Sequence, residues 1–448
     1  MAESLPQPSS DDDPIPWLLI GFNLVGIGLG YAITMLLARQ LTHSEFEHYV
    51  AAVATLGLWA TFAEAGFGKY ALRIVPVYLA AARRHLLRSY IRYALVATLW
   101  LSMAVALVAS LLEWFIQEGQ GQYVILVAIS ILPIVALCGV MVDLLLAMHL
   151  PRCGMFVGRV LVPATTLALI VWTSSVSSIT PLAAIYCFAG GSAAGLLSGG
   201  LVCTRLVSPV VRKPFTKVPV DNSWRAWTAA SFSFMGYYFL LAWLSRSTLF
   251  IASHLPHQPT QLAVLAPAME TGCLILLLSK STDKYFQPAM SMLLESTQWQ
   301  QLSAMGRSRR RVIGICVAVF LAVVMLLGKQ ILGLYGEDFV PGYGALCIVA
   351  VGSSVWTMFS LSPSFLLYSG GSRILLALLC IHAIVLVLLV GALFPAFGAI
   401  GGAAAYAITV SAFTLSAFFF ASTRFGRLSA STKSADHTEQ QRSIPPQY

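Results

Sequence analysis

Twelve apolar runs of 18 to 26 residues, each cut off by charge, proline or glycine, dominate this chain and leave it few ways to fold. About 20 apolar residues in a helix cross the hydrocarbon layer of a bilayer. In lipid every backbone N–H and C=O must be bonded internally, which leaves helices or closed barrels. Barrel strands alternate in polarity and would not give unbroken apolar runs. The 448 residues are 58% hydrophobic and 10% charged. A soluble domain carries about 25% charged residues, so soluble classes are excluded. The expectation is an all-α polytopic membrane protein.

Six runs, at 17–38, 49–67, 90–112, 123–148, 156–173 and 182–203, precede a basic, proline-rich stretch, RLVSPVVRKPFTKVPVDNSWR. Six more follow it, at 229–252, 262–279, 312–334, 343–368, 374–394 and 399–421. The stretch sets Arg205, Arg212, Lys213, Lys217 and Arg225 against the single acid Asp221, and contains Pro209, Pro214 and Pro219. Each proline lacks an N–H and disfavours helix in the residue before it, and the cations cannot sit in hydrocarbon. The chain therefore divides into an acidic tail (1–16), a first six-helix bundle (17–203), a basic linker (204–228), a second six-helix bundle (229–422) and a Ser/Gln/Thr-rich tail read as disordered (423–448).

Charge fixes an orientation. With the N-terminus inside, 24 of the 27 cations fall in inside loops, Arg39 and Lys329 fall outside, and Arg246 lies within the seventh run. Such loop-by-loop alternation is the signature of cytoplasmic retention, so both termini and the linker are expected in the cytoplasm, with the protein in the inner (cell) membrane. No basic segment precedes the first run, so no cleavable signal is expected. The net charge of +9 sits in these short loops and does not suggest nucleic acid. Apart from the linker, the longest basic loop follows the second helix of each half, at 73–92 and 280–311. Six helices per half make both halves enter from the same side, which predicts a parallel repeat about an axis along the membrane normal.

No catalytic constellation is present. There is no phosphate-binding GxxxxGK[ST] and no HExxH, the eight cysteines form no CxxC pair, and the histidines show no metal spacing. No metal, cofactor or enzymatic activity is expected. Attention passes to polar groups at membrane depth, where burying a charge costs roughly 3 kcal/mol or more. Arg246, in FLLAWLSRSTLFIAS, suits an anionic substrate such as a phosphate or pyrophosphate, or else snorkels to headgroups. Glu270, mid-run in APAMETGCLILLL, is a candidate to pair with Arg246 or to bind a coupling proton or sodium ion. Glu64 and Asp143 fall near the inner ends of helices two and four and are candidates for coupling or gating. His382 could titrate or simply pack. Asn23 in helix one is a ligand contact or a helix–helix hydrogen bond, and Arg39 a residue at the outer mouth. The basic inner surface suits anionic phospholipid headgroups.

Several stretches together resemble the oligosaccharide flippase (polysaccharide biosynthesis) family, within the group that includes multidrug and toxin extrusion transporters. They are GYAITMLLARQLTHSEFEHYV with FAEAGFGKYALRIV, then ILGLYGEDFVPGYGALCIVAVGSSV, LLYSGGSR and FPAFGAIGGAAAYAI, in the family's order across about residues 15–425. The resemblance implies two six-helix bundles around a central cavity, alternating access, and movement of undecaprenyl-pyrophosphate-linked oligosaccharide for exopolysaccharide or surface-antigen assembly. It also implies glycosyltransferases and a polymerase of the same pathway as partners, with H+ or Na+ as coupling ion. The sequence departs from related lipid carriers in one respect: helix one holds no basic companion for Arg246. Two other readings stand beside this one: a cation-coupled multidrug efflux carrier, and a non-transporting membrane scaffold of a polysaccharide synthase.

Overall fold

The computed structural model describes residues 15–80, 83–116, 120–148, 150–211, 223–256 and 259–442. All regular structure among them is helical. The first half comprises α1 (Ile15–Gln40), α2 (His43–Ala63), α3 (Phe67–Ala80), α4 (Arg84–Ile116), α5 (Gln120–Ser130), α6 (Leu132–Ala147), α7 (Pro151–Phe156), a π-helical turn (Val157–Leu161), α8 (Val162–Val176) and α9 (Pro181–Val211). The second comprises α10 (Ser223–Ser253), α11 (Pro259–Gly272), α12 (Leu276–Glu295), α13 (Trp299–Gly333), a 3-10 turn (Glu337–Gly342), α14 (Tyr343–Phe359), α15 (Leu361–Tyr368) and α16 (Ser372–Arg442).

Eight helical stretches are long and apolar enough to cross a bilayer unaided, and two bent pairs, 43–79 at 41° and 121–147 at 45°, bring this to ten. The 71-residue α16 holds two crossings, separated at Gly398 (φ 57°). Gln261 of α11 lies where a Gly398 side chain would stand, and its Oε1 accepts from Ala399 N at 2.9 Å, capping the last crossing. With α10, 31 residues long, the crossings number twelve, six in each half.

The second and fourth crossings are broken in both halves. α2 gives way to α3 through Ala65 (φ 46°) and Gly66 (φ 70°). α11 gives way to α12 across residues 273–275. α5 meets α6 at Ile131, and α14 meets α15 at Ser360. The start of α2 is fixed locally: Glu45 N donates to Thr42 Oγ1 at 3.4 Å, and Thr42 N donates to Glu45 Oε2 at 3.0 Å. This reciprocal cap satisfies two otherwise orphaned donors.

The buried apolar side chains sort by depth. On the face away from the basic segments one continuous core draws on both halves, from Leu37, Phe46 and Leu56 to Leu262, Phe339, Val349 and Phe394. On the basic face there are two separate cores. One is built on Phe67, Tyr90 and Leu144, and the other on Leu302, Phe365 and Leu379. The halves thus share one core at the far face and keep separate cores at the basic face, where among the described residues α10 alone bridges them. Trp227, at the start of α10, lies in the first half's core and donates from Nε1 to Tyr78 Oη at 2.9 Å.

Three expectations change. The basic segments 73–92 and 280–311 are not loops. α3 carries Arg73, α4 begins at Arg84, and α12 and α13 occupy most of the second segment. Arg, Lys, Gln, Leu and Ala are good helix formers, so the ladder continues past the lipid boundary. The tail read as disordered is helical to Arg442. A helix already nucleated in the bilayer needs no new nucleus to propagate through Lys, Glu and Gln. Helix also occupies both ends of the 204–228 linker, since α9 reaches Val211 and α10 begins at Ser223. Residues 212–222, with Arg212, Lys213 and Lys217, lie outside the described residues, as does most of the acidic tail.

Candidate functional site

A cavity of about 260 Å³ lies between α1, α10 and the broken end of α11, lined among others by Gly30, Tyr31, Ser245, Arg246, Glu270 and Cys273. Two of the polar residues singled out in the sequence, Arg246 and Glu270, therefore share one chamber. No ion pair joins them, and Arg246 has no salt-bridge partner among the described residues. Its guanidinium points toward the first half, with Nη1 3.6 Å from where a Cβ on Gly57 of α2 would stand. It also feels the charges of Glu64 and of Arg159.

Glu270 faces α1. Thr34 Oγ1 of α1 donates to its Oε1 at 3.3 Å. The rings of Tyr31 and Tyr335, 6.0 Å apart, stand beside it. Behind the cavity, Cys273, Ser353 and Tyr406 close a small polar cluster, with Sγ to Oη at 3.4 Å and Oγ to Oη at 3.3 Å. The chamber thus sets the Arg246 guanidinium toward α2, and the Glu270 carboxylate toward the Thr34 hydroxyl and Tyr31 ring of α1.

Arg159 went unrecognised in the sequence, where it counted only toward orientation. It lies inside an apolar run, and the rule that singled out Arg246 applies equally to it. It sits on the π-helical turn, and its carbonyl packs so close to Gly26 of α1 that a Cβ there would collide with it.

Glu64 and Asp143 come together on the broken helices two and four, and a second unrecognised residue joins them. Lys69 Nζ donates to Asp143 Oδ1 at 3.0 Å and to Oδ2 at 2.7 Å. Asp143 lies over Gly68, and Glu64 over Gly139, each occupying the space of an absent side chain. Lys69 and Asp143 are 74 residues apart, so nothing local in the sequence ties them.

The other candidates lie elsewhere. His382 is 8% exposed, hydrogen-bonded through Nδ1 to Leu378 O at 2.8 Å and packed on Phe413. Arg39 donates from Nε to Leu334 O at 2.8 Å on the far face, tying α1 to the end of α13. Asn23 is half-buried on α1 and does not line the cavity.

Fold and cavity together define a class: a multi-pass helical membrane protein with a polar chamber between two six-helix halves. No protein-family model and no curated protein sequence matches the chain. Solved structures do match its fold. A multidrug resistance transporter of the MATE family, within the MOP superfamily, in its inward-facing conformation, aligns with a TM-score of 0.69 at 13% identity, covering 92% of this chain and 98% of that one. The lipid II flippase MurJ, in an inward closed conformation, aligns at 0.69 and 10% identity, covering 96% and 94%. An outward-facing MATE-family transporter aligns at 0.55 and 12% identity, covering 92% and 96%.

Proposed function

We propose that this protein is an alternating-access carrier that moves a lipid-linked oligosaccharide across the cell membrane, with its anionic linkage held in the central cavity. The observation that carries the reading is Arg246: a guanidinium in the chamber between the halves with no salt bridge among the described residues, in the fields of Glu64 and Arg159. A guanidinium at this depth suits a phosphate or pyrophosphate, which presents several charged oxygens to its planar donors. Parted cores on the basic face and a fused core on the far face fit a chamber loaded from the basic side. The better overlap with inward-facing than with outward-facing relatives agrees. Glycosyltransferases and a polymerase of the same pathway are the partners this reading implies.

The test is a flipping assay in proteoliposomes with a pyrophosphate-linked polyprenyl oligosaccharide. Losing a charge-assisted contact worth about 1.5–3 kcal/mol should slow transfer by roughly ten- to a hundredfold in Arg246→Ala. Transfer at the wild-type rate in that variant ends this reading. A second reading, cation-coupled efflux of small organic molecules, is favoured by Glu270 and Tyr31 lining the same chamber. It requires Glu270→Gln to abolish uptake of an organic cation into the same vesicles.

A further inference from the structure

On the far face, three polar contacts cross from one half to the other. Arg39 of α1 reaches the Leu334 carbonyl at 2.8 Å. His43, at the start of α2, meets Asp338 of the 3-10 turn at 3.4 Å, its ring edge-on to Phe339. His254, one residue beyond α10, meets Glu113 of α4 at 2.9 Å. Two of the three are histidine–carboxylate pairs. The second is sheltered, with the Glu113 side chain 3% and the His254 side chain 15% exposed, whereas Asp338 is 79% exposed.

The surroundings of His254 say which form of the ring fits. Nε2 faces Glu113 Oε2 at 2.9 Å, and Nδ1 faces the Phe250 carbonyl at 2.7 Å and Ser253 Oγ at 3.1 Å. The Ser253 hydroxyl donates to the Phe250 carbonyl at 2.7 Å, so both ring nitrogens meet acceptors. Neutral imidazole has one N–H and one lone pair, so it would leave a lone pair against an acceptor; imidazolium donates from both. Burial works to lower the pKa of His254. The hydrogen bond and charge of Glu113 and the Phe250 carbonyl outweigh it, and the pKa is raised. Among the other charged groups on this face, Glu45 caps Thr42, Arg39 holds the Leu334 carbonyl, Lys329 lies over the Tyr343 ring at 5.5 Å, Glu47 is buried on α2, and Glu337 stands next to Asp338 on the 3-10 turn. His48 lies against Gly121 at the start of α5, and Gln122 donates only to the backbone carbonyls of Glu113 and Trp114.

We propose that His254–Glu113 is a proton-operated latch that holds the two halves together on the far face, beside the Arg39–Leu334 and His43–Asp338 contacts. With the His254 imidazole charged the far face is shut. As pH on that side rises, His254 gives its proton to water, the attraction to Glu113 is lost, and the halves are free to part there. Opening thus releases protons to the far side and closing takes them up. The inference concerns the gate and holds whichever cargo occupies the chamber.

Amide hydrogen exchange of the full chain in lipid nanodiscs, at pH 5.5 and 7.5 with intrinsic rates corrected, tests it. Residues 41–50 and 334–342 report the far face, and residues 84–92 of the basic face serve as the internal reference. Wild type should exchange several-fold faster at the far-face segments at pH 7.5 than at pH 5.5, with the reference unchanged. His254→Gln should be fast at both values, and His254→Arg, whose charge is fixed, slow at both. A wild type indifferent to pH, or an arginine variant that follows wild type, overturns the latch. If the glutamine variant does not fold, the arginine variant alone decides.

Discussion

The two halves repeat one plan and charge it differently. In each, the second and fourth crossings are broken, and an ion pair sits beside the break. In the second half the pair is closed and balanced. Arg309 of α13, 3% exposed, donates from Nη2 to Asp283 Oδ1 at 2.5 Å, Ser360 Oγ at 2.8 Å and Thr282 Oγ1 at 3.2 Å. Ser360 in turn donates to the same Asp283 oxygen at 3.0 Å. One acid meets one base, and hydroxyls complete the cluster. In the first half one base, Lys69, whose side chain is 32% exposed, serves Asp143 while Glu64 stands beside them. That half carries an extra carboxylate in the field of Arg246. A balanced buried pair fixes a geometry, whereas an unbalanced, partly wet one can exchange partners as the halves rock. The repeat supplies the scaffold, and the charge difference separates a stiff half from an adaptable one.

The sharpest way to break this comparison is to remove one acid at a time. Asp283→Ala strands a buried guanidinium, which costs about 3–5 kcal/mol. Asp143→Ala strands a lysine that can swing toward water, for less than about 2 kcal/mol. Thermal unfolding of the detergent-solubilised variants should rank them so. Equal losses, or the reverse order, would mean the first half is as rigidly pinned as the second.

Glycine contacts extend the comparison on a smaller scale. A Cβ on Gly352 of α14 would stand 2.6 Å from Ala407 Cα on α16. Backbone cannot step aside, so Gly352→Ala should cost about 1–3 kcal/mol. In the first half a Cβ on Gly199 would press on Met141, a flexible side chain, with Leu145 Cδ1 at an ordinary 3.6 Å. Gly199→Ala should cost less than about 1 kcal/mol, since methionine re-packs readily. The same melting measurement reads both, and a Gly199 variant as weak as the Gly352 one would dissolve the distinction.

Apolar run length made twelve crossings and the two-half division legible in the sequence, because lipid imposes its requirement residue by residue. Polarity at membrane depth made Arg246 and Glu270 legible by the same logic. What stayed hidden depends on contact between distant segments. The break after Glu64 follows from a positive φ at Ala65, a residue with no intrinsic preference for it. Lys69 reads as an orientation signal until Asp143 is seen across from it. Arg159 reads the same way until the π-helical turn brings it near Arg246. His43 and His254 lack any metal or catalytic spacing, since each has its partner in the opposite half. Helix ends misled too: the basic segments look like loops because hydropathy marks where lipid stops, which is not where hydrogen bonding stops.

The smallest expected effect concerns what joins the halves rather than what lies within them. The folded pKa of His254 is raised, chiefly because Glu113 and the Phe250 carbonyl favour its charged form over the opposing effect of burial. A raised folded pKa adds stability that is fully present below the unfolded histidine value of about 6.5 and is lost as pH climbs through the folded value. Thermal stability of wild type over His254→Gln should therefore be greatest near pH 5.5, by about 1 kcal/mol or less for a single partly wet pair, and should shrink toward zero at alkaline pH. A gap that widened with rising pH would mean that His254 is held neutral, and the contact between the halves on the far face would then owe nothing to protonation of its imidazole.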